Sequence, residues 1–330
     1  MDFERFIGND ALKQSFLSAL QAQRTVQSYL IEGSQGSGKK TFAALMAMGL
    51  LCSAPSDRRP CGVCSNCKKV QTNIHPDFFV LSPEKDKTAI SVEAIRDLRE
   101  SIYVLPNEGE RKVYLIPEAQ NLTIAAQNAL LKVFEEPPPF VVIILTAVGE
   151  QGILPTILSR ALRLRTAPVS REEIVHYFKD SNAKAERIAC VANLSGGSIG
   201  TAKELLKSQN LDLLSSFFAE YMTALSGREM ANYLACCTYF DAHKKEISNT
   251  LAFFQLWIRD ILVYKVKKAK DDLYFSLFWE DIEKSASIFP KKALTRLMDI
   301  TENAQEGLAA NANFSSVMAC MQMSSWEDTH

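Results

Sequence analysis

Residues 33–39 read Gly-Ser-Gln-Gly-Ser-Gly-Lys, between the short apolar run Tyr29-Leu30-Ile31 and a stretch of helical character that starts at Lys39. A G-x-x-x-x-G-K loop that leaves a strand and opens a helix constrains a chain strongly. Its glycines let successive backbone N–H groups close around phosphate oxygens, and the helix N-terminus adds its positive dipole end. The candidate nucleotide residues are therefore Gly33, Gly36 and Gly38 for the backbone cradle, and Lys39 for a full charge. The next position should carry the hydroxyl that ligates Mg²⁺, yet it is Lys40, with Thr41 one residue late. A second ammonium there repels a metal ion.

The rest of the first half predicts an α/β fold, a parallel sheet covered by helices on both faces. Further strands are expected at Phe78–Leu81, Val113–Ile116, Val141–Leu145 and Leu162–Leu164. Ser91 is placed to cap a helix carrying Ile95, Leu98 and Ile102, and Thr123 to cap another that Pro137-Pro138-Pro139 must end. After Ala167-Pro168 the strand signals fade. Short helices are expected over Arg171–Phe178 and Ala183–Leu194, then helix throughout from about Leu211, with aromatic residues such as Phe217, Tyr221, Phe254 and Trp257 read as core. The expected division is 1–166, 167–207 and 208–330.

A second nucleotide element should be an apolar strand ending in Asp-Glu, the Asp helping to hold Mg²⁺. Here Val113-Tyr114-Leu115-Ile116 runs into Pro117-Glu118. Proline has no side-chain oxygen, so both supports for the metal are missing and hydrolysis is not expected. Glu118 reads as a solvated charge at a strand end. The loop and Lys39 could still hold ATP or ADP weakly without Mg²⁺.

Cys52, Cys61, Cys64 and Cys67 crowd into the segment after the loop's helix. Two overlapping C-x₂-C units and an earlier thiol suit a closed tetrahedral Zn²⁺ shell, with no open position for water and hence a structural role. An iron–sulfur cluster or four free thiols would use the same residues. Arg58, Arg59, Lys68 and Lys69 could offset the thiolate charge. Cys190, Cys236, Cys237 and Cys320 read as buried packing residues.

The 330 residues carry 37 Lys+Arg against 38 Asp+Glu, a formal net charge of −1, so nothing global marks a nucleic-acid surface. No apolar stretch has the ~20 residues needed to span a bilayer. Met1-Asp2-Phe3-Glu4-Arg5-Phe6 lacks a basic segment followed by an apolar run. A cytoplasmic chain with one metal site, and no membrane partner, is expected. His75, before a strand, reads as a turn-stabilising residue, and no Ser/His/Asp or paired-carboxylate constellation is evident.

In order, the chain shows the phosphate loop, the four-cysteine insert, His75-Pro76-Asp77, Ile90 to Arg96, Asn128 to Pro138, and Leu154-Pro155-Thr156-Ile157-Leu158-Ser159-Arg160. Over about residues 1 to 205 this resembles the AAA+-type clamp-loader subunits of bacterial DNA polymerase III. The helical remainder is similar only in length and character. The resemblance implies an AAA+ domain with a zinc module, a small helical lid and a helical collar. The family has hydrolysing gamma/tau motors and a largely inactive delta-prime stator. Lys40, Pro117 and Gly200, where motors carry a phosphate-sensing arginine, place this chain nearer the stator. Thr146 looks like the family's polar sensor position. Ser159-Arg160 is similar to the element that the stator presents to a neighbour, which implies that Arg160 acts in trans as an arginine finger; Ala161 stands where that element has Cys. Implied partners are gamma/tau, delta, the sliding clamp and primed DNA. The rival readings are an active gamma-like ATPase, with Thr41 and Glu118 taking over the metal contacts, and a zinc-dependent nucleic-acid-binding module.

Overall fold

A computed structural model describes the chain except residues 1, 2, 4, 5, 82–89, 208, 209, 228, 329 and 330. The expected opening run and the boundary at 208 thus lie partly outside the described residues. The chain divides into two compact units, Met1–Tyr177 with Gly197–Thr201, and Phe178–Gly196 with Ala202–His330.

In the first unit the elements run α1 (Asp10–Gln21), β1 (Ser28–Glu32), α2 (Lys39–Leu51), α3 (Ser65–Gln71), β2 (Phe78–Val80), α4 (Val92–Ser101), β3 (Lys112–Ile116), α5 (Ile124–Glu135), β4 (Val141–Ala147), α6 (Pro155–Leu158), β5 (Leu162–Arg165) and α7 (Arg171–Phe178). The strands form one parallel sheet in the order β2-β3-β4-β1-β5. Every residue of β1, β3 and β4 is buried, as a sheet covered on both faces requires. Alternation then assigns each side chain to a face. Tyr29, Ile31, Val113, Leu115, Val142 and Ile144 pack with α1 and α2, whereas Leu30, Tyr114, Ile116, Ile143 and Leu145 pack with α4 and α5. The α/β class read from the sequence is borne out.

The caps form as the sequence predicts. Ser91 Oγ accepts the Ala94 N–H at 3.3 Å and Thr123 Oγ1 accepts the Ala126 N–H at 3.1 Å. Because all five strands are parallel, the loops after β1, β3 and β4 leave from one edge of the sheet. In folds of this kind, ligands bind outside the carboxyl ends of the strands.

The second unit is helical. After α8 (Ala185–Leu194) and α9 (Ile199–Leu206), whose first turn belongs to the first unit, come α10 (Asn210–Ser226), α11 (Met230–Ala242), α12 (Ile247–Lys267), α13 (Trp279–Ile288), α14 (Lys291–Ala309) and α15 (Phe314–Glu327). Its core is aromatic, with Phe218, Tyr221, Tyr233, Phe240, Phe254, Trp257 and Phe275 at most 1% exposed. Asp260 on α12 is fully buried beside Arg259 and accepts the Phe275 N–H at 2.8 Å, tying the following loop to the helix. Among the described residues no helix is long and apolar enough to cross a membrane.

Candidate functional site

The phosphate loop leaves β1 and enters α2. The Gly33 N–H donates to Ala147 O at 3.2 Å, and the Ser37 and Thr166 hydroxyls meet at 2.9 Å. Gly36 and Gly38 hold φ angles of 72° and 86°, which an L side chain rarely adopts. The Gly200 N–H donates to Gly36 O at 3.0 Å, and a Cβ at Gly200 would stand 2.7 Å from Gly36 Cα. An arginine therefore cannot occupy that position without displacing the loop.

Lys39 is buried, and its ammonium donates to Gly33 O at 2.8 Å and Ser34 O at 2.7 Å, so it neutralises carbonyls of its own loop. Burial lowers its pKa, with Glu118 partly countering. Lys40 and Thr41 are exposed on the first turn of α2.

Pro117 and Glu118 follow β3. Glu118 is exposed in left-handed backbone, φ 52°; its N–H donates to the buried Thr146 Oγ1 at 3.1 Å, and its carboxylate accepts from Asn121 Nδ2 at 3.1 Å. Lys39, Lys40, Thr41, Pro117, Glu118 and Thr146 line one cavity of about 520 Å³. The cavity's chemistry suits phosphate through amides and ammonium groups. The two positions expected to hold Mg²⁺ offer an ammonium at 40 and no oxygen at 117, while Thr41 and Glu118 bring the remaining oxygens to the same cavity. Gln120 and Asn121 also line this cavity, and Gln120 Oε1 is buried without a hydrogen-bond partner. Sequence reasoning missed both residues; only the 3₁₀ turn Ala119–Asn121 brings them there.

The four cysteines converge from the end of α2, the connecting loop and α3. Their sulfurs lie within 4.8 Å of one another, with Cys52–Cys61 at 3.6 Å, Cys52–Cys64 at 3.8 Å and Cys61–Cys67 at 4.0 Å. A Zn–S bond of about 2.3 Å puts the edges of a tetrahedral shell at about 3.8 Å, so the sulfurs fit that ion. Backbone N–H groups point at the sulfurs, Cys61 to Cys52, Cys64 to Cys61 and Cys67 to Cys64. Burial opposes ionisation of Cys64, but the N–H groups of Cys67 and Ser53 outweigh it and bring the thiol down to about 6. Burial and the bond from Cys64 instead push Cys67 up.

Two of the four nearby cations are committed elsewhere: Lys69 pairs with Glu108 at 2.6 Å and Arg59 Nε donates to Ala54 O at 2.6 Å. That leaves a thinner basic surface than the nucleic-acid reading supposes. His75 does stabilise a turn, its Nδ1 accepting the Asp77 N–H at 3.0 Å. The expectation for the remaining cysteines needs correction. Cys190 and Cys237 are buried, but Cys236 is half-buried and Cys320 exposed, because α15 turns Met318, Met321 and Ser325 inward and Cys320 off that face.

Arg160, just past α6, is exposed. Its Nη2 lies 3.2 Å from Glu135 Oε1 and its Nη1 donates to Thr156 O at 3.1 Å. Nearby is a network that sequence reasoning missed. Glu32, buried at the end of β1, accepts from Arg163 Nη2 at 3.0 Å and Arg165 Nε at 3.2 Å, and Glu150 joins both arginines. The available signal was the two-residue spacing of Arg163 and Arg165, which sets both on one face of a strand.

Comparison with known proteins agrees with this geometry. Residues 8–170 match the family model described as DNA polymerase III, delta subunit. The chain is 37% identical to the delta' subunit of DNA polymerase III from Pseudomonas aeruginosa over 54% of this chain and 55% of that protein. It is 31% identical to the Escherichia coli delta' subunit over 60% and 59%, and 34% identical to the tau subunit from Salmonella typhimurium over 54% and 27%. The match thus spans little more than half the length of these delta' relatives. Over residues 8–170, in its phosphate-loop unit, the chain is similar to the delta' subunits of DNA polymerase III and, over a comparable stretch, to a tau subunit.

Proposed function

We propose that this chain is the non-hydrolysing stator of a clamp loader, joining gamma/tau and delta in a cytoplasmic complex that places the sliding clamp on primed DNA. The observation that carries this reading is a phosphate loop whose two expected Mg²⁺ positions lack a side-chain oxygen: Lys40 stands at the hydroxyl position and Pro117 at the carboxylate position. Gly200 adds to it, since its backbone lies where a sensing arginine would need room. The three-part division at 167 and 208 belongs to the same proposal, with 208–330 as the collar through which subunits assemble.

Arg160 is assigned the trans role. Its guanidinium stays charged at neutral pH and can donate paired hydrogen bonds to phosphate oxygens of ATP held by an adjacent motor. In the isolated chain Glu135 holds it at the surface. Cys52, Cys61, Cys64 and Cys67 would hold one Zn²⁺, which closes the module structurally, while the surrounding N–H groups support the thiolate charge.

Co-purification with gamma/tau and delta, followed by a clamp-loading assay on primed DNA, tests the proposal. The expected result is a stable complex whose loading requires this chain. A chain that does not enter the complex, or robust Mg²⁺-dependent ATP turnover by the purified chain, overturns it.

A further inference from the structure

We propose that the helical unit carries a binding surface of its own, a lysine face at the C-terminal ends of α12 and α13 that takes the phosphate backbone of duplex DNA without reading its sequence. The inference rests on this unit alone and not on the state of the phosphate loop.

Charge is concentrated there. Residues 265–272 and 284–292 hold seven lysines and only two acidic residues, Asp271 and Asp272, although the whole chain carries a net charge of −1. Tertiary structure joins the two segments. The Lys265 ammonium donates to Ala286 O and the Tyr264 hydroxyl to Glu283 Oε1 at 2.6 Å, so α12 and α13 end side by side, and α14 starts from the same end at Lys291. Helix C-termini attract cations, each with about half a negative charge, and that accounts for some of these lysines. It does not account for all of them. Lys265 is held by Ala286 O, Lys267 by Asp272 at 2.9 Å and Lys284 by Asp281 at 3.5 Å. Lys268, Lys270, Lys291 and Lys292 are exposed, and among the described residues none of them has an ion-pair partner. The N-terminus of α14 adds its positive dipole end: the Leu294 N–H bond to Pro290 O at 3.2 Å starts its ladder, so the amides of Lys291, Lys292 and Ala293 precede it.

Residue type selects the ligand. A lysine ammonium is a point charge that meets phosphate from any direction, whereas protein interfaces enrich arginine and deplete lysine. Neither segment contains Arg, Asn or Gln, the side chains that read base edges with paired hydrogen bonds. Tyr264 is buried, with the Lys268 ammonium 5.2 Å from its ring centroid, and the exposed large apolar residues of the two segments are the aliphatic Val266 and Ile288. No ring is offered on which unpaired bases would stack, so the face suits a duplex better than a single strand.

The test is fluorescence anisotropy of a labelled blunt DNA duplex titrated with the full-length chain at a series of KCl concentrations. Four phosphate contacts predict a slope of log affinity against log salt of about −3.6, or about a 100-fold loss between about 50 and 200 mM salt. Lys268→Gln combined with Lys270→Gln is expected to halve that slope, and Lys291→Gln combined with Lys292→Gln to halve it as well, because the two pairs form one face. Lys244→Gln removes an exposed lysine from the opposite end of α12, about 30 Å away, and should leave the slope unchanged. These surface changes should preserve zinc content and the thermal midpoint. Absence of duplex binding at the lowest salt, a slope unchanged in either double variant, or an equal fall in Lys244→Gln overturns the inference. So does tighter binding of a glutamate-rich peptide than of the duplex, which would make the face a protein-docking surface, or tighter binding of a single-stranded oligothymidylate.

Discussion

Replacing Arg160 by alanine separates a stabilising surface residue from one that works on a neighbour. Within the chain, Arg160 makes two contacts, to Glu135 Oε1 at 3.2 Å and to Thr156 O at 3.1 Å, and the paired side chains are 38% and 53% exposed. Exposed pairs of this kind contribute about 0–1 kcal/mol. In a protein of this size that corresponds to a fall in melting temperature of at most about 2–4 °C. Folding, zinc content and complex assembly should therefore survive in Arg160→Ala. In other phosphate-transfer systems a supplied arginine accelerates hydrolysis by roughly 10³–10⁵-fold. A loader with several ATP sites loses less overall, because only one site would touch this subunit. The assay is DNA-stimulated ATP hydrolysis and clamp loading by the assembled complex, comparing wild type, Arg160→Ala and Arg160→Lys. The expected order is full activity, marked loss and partial rescue, because an ammonium lacks the planar pair of donors. Glu135→Gln should retain activity, since it removes only the local partner. If the Arg160→Ala complex assembles and works at the wild-type rate, the arginine is an ordinary surface residue and the assignment in trans is wrong.

Metal analysis should find one zinc per chain, with Cys64→Ser losing it and Cys237→Ser keeping it, since the latter thiol is buried away from the cluster; equal loss from both variants would defeat the ligand assignment. Asp77 is fully buried and accepts from Asn107 N at 2.7 Å, Asn107 Nδ2 at 3.2 Å and Glu108 N at 2.8 Å. Burial disfavours its charge, but these donors outweigh burial and hold the pKa below the usual carboxylate range. Its stabilisation is therefore complete above the unfolded value near ~4 and lost as pH falls through the lower folded value. Asp77→Asn should cost about 1.5–3 kcal/mol at pH 7 by urea unfolding, and the gap from wild type should close in acid; an unchanged midpoint at pH 7 would refute this. The purified chain should hydrolyse ATP no faster than background, and Pro117→Asp should not restore turnover while Lys40 and Gly200 remain; measurable turnover by that single variant would show that the other two positions do not matter. Gly200→Arg should destabilise the chain by about 1–3 kcal/mol through overpacking against Gly36, seen as a lower thermal midpoint, rather than restore a phosphate contact.

What could be read from the sequence alone was whatever rests on local spacing. The strand–loop–helix context of Gly33 to Lys39, the apolar runs that became β1 to β5, the caps at Ser91 and Thr123, and the four cysteines each involve residues a few positions apart, so pattern and backbone geometry determine them together. The lack of a side-chain oxygen at positions 40 and 117 was equally legible, since a lysine and a proline carry none in any fold. Tertiary structure alone decided the long-range pairings. Gly200 meets Gly36 across 164 positions, Glu32 is held by Arg163 from 131 positions away, and Cys320 faces outward because of the particular face α15 buries. Sequence shows neither contact nor facing, because a backbone hydrogen bond or a buried carboxylate can be satisfied by partners anywhere along the chain. Only the packing of sheet and helices determines which partner arrives and how much room it leaves.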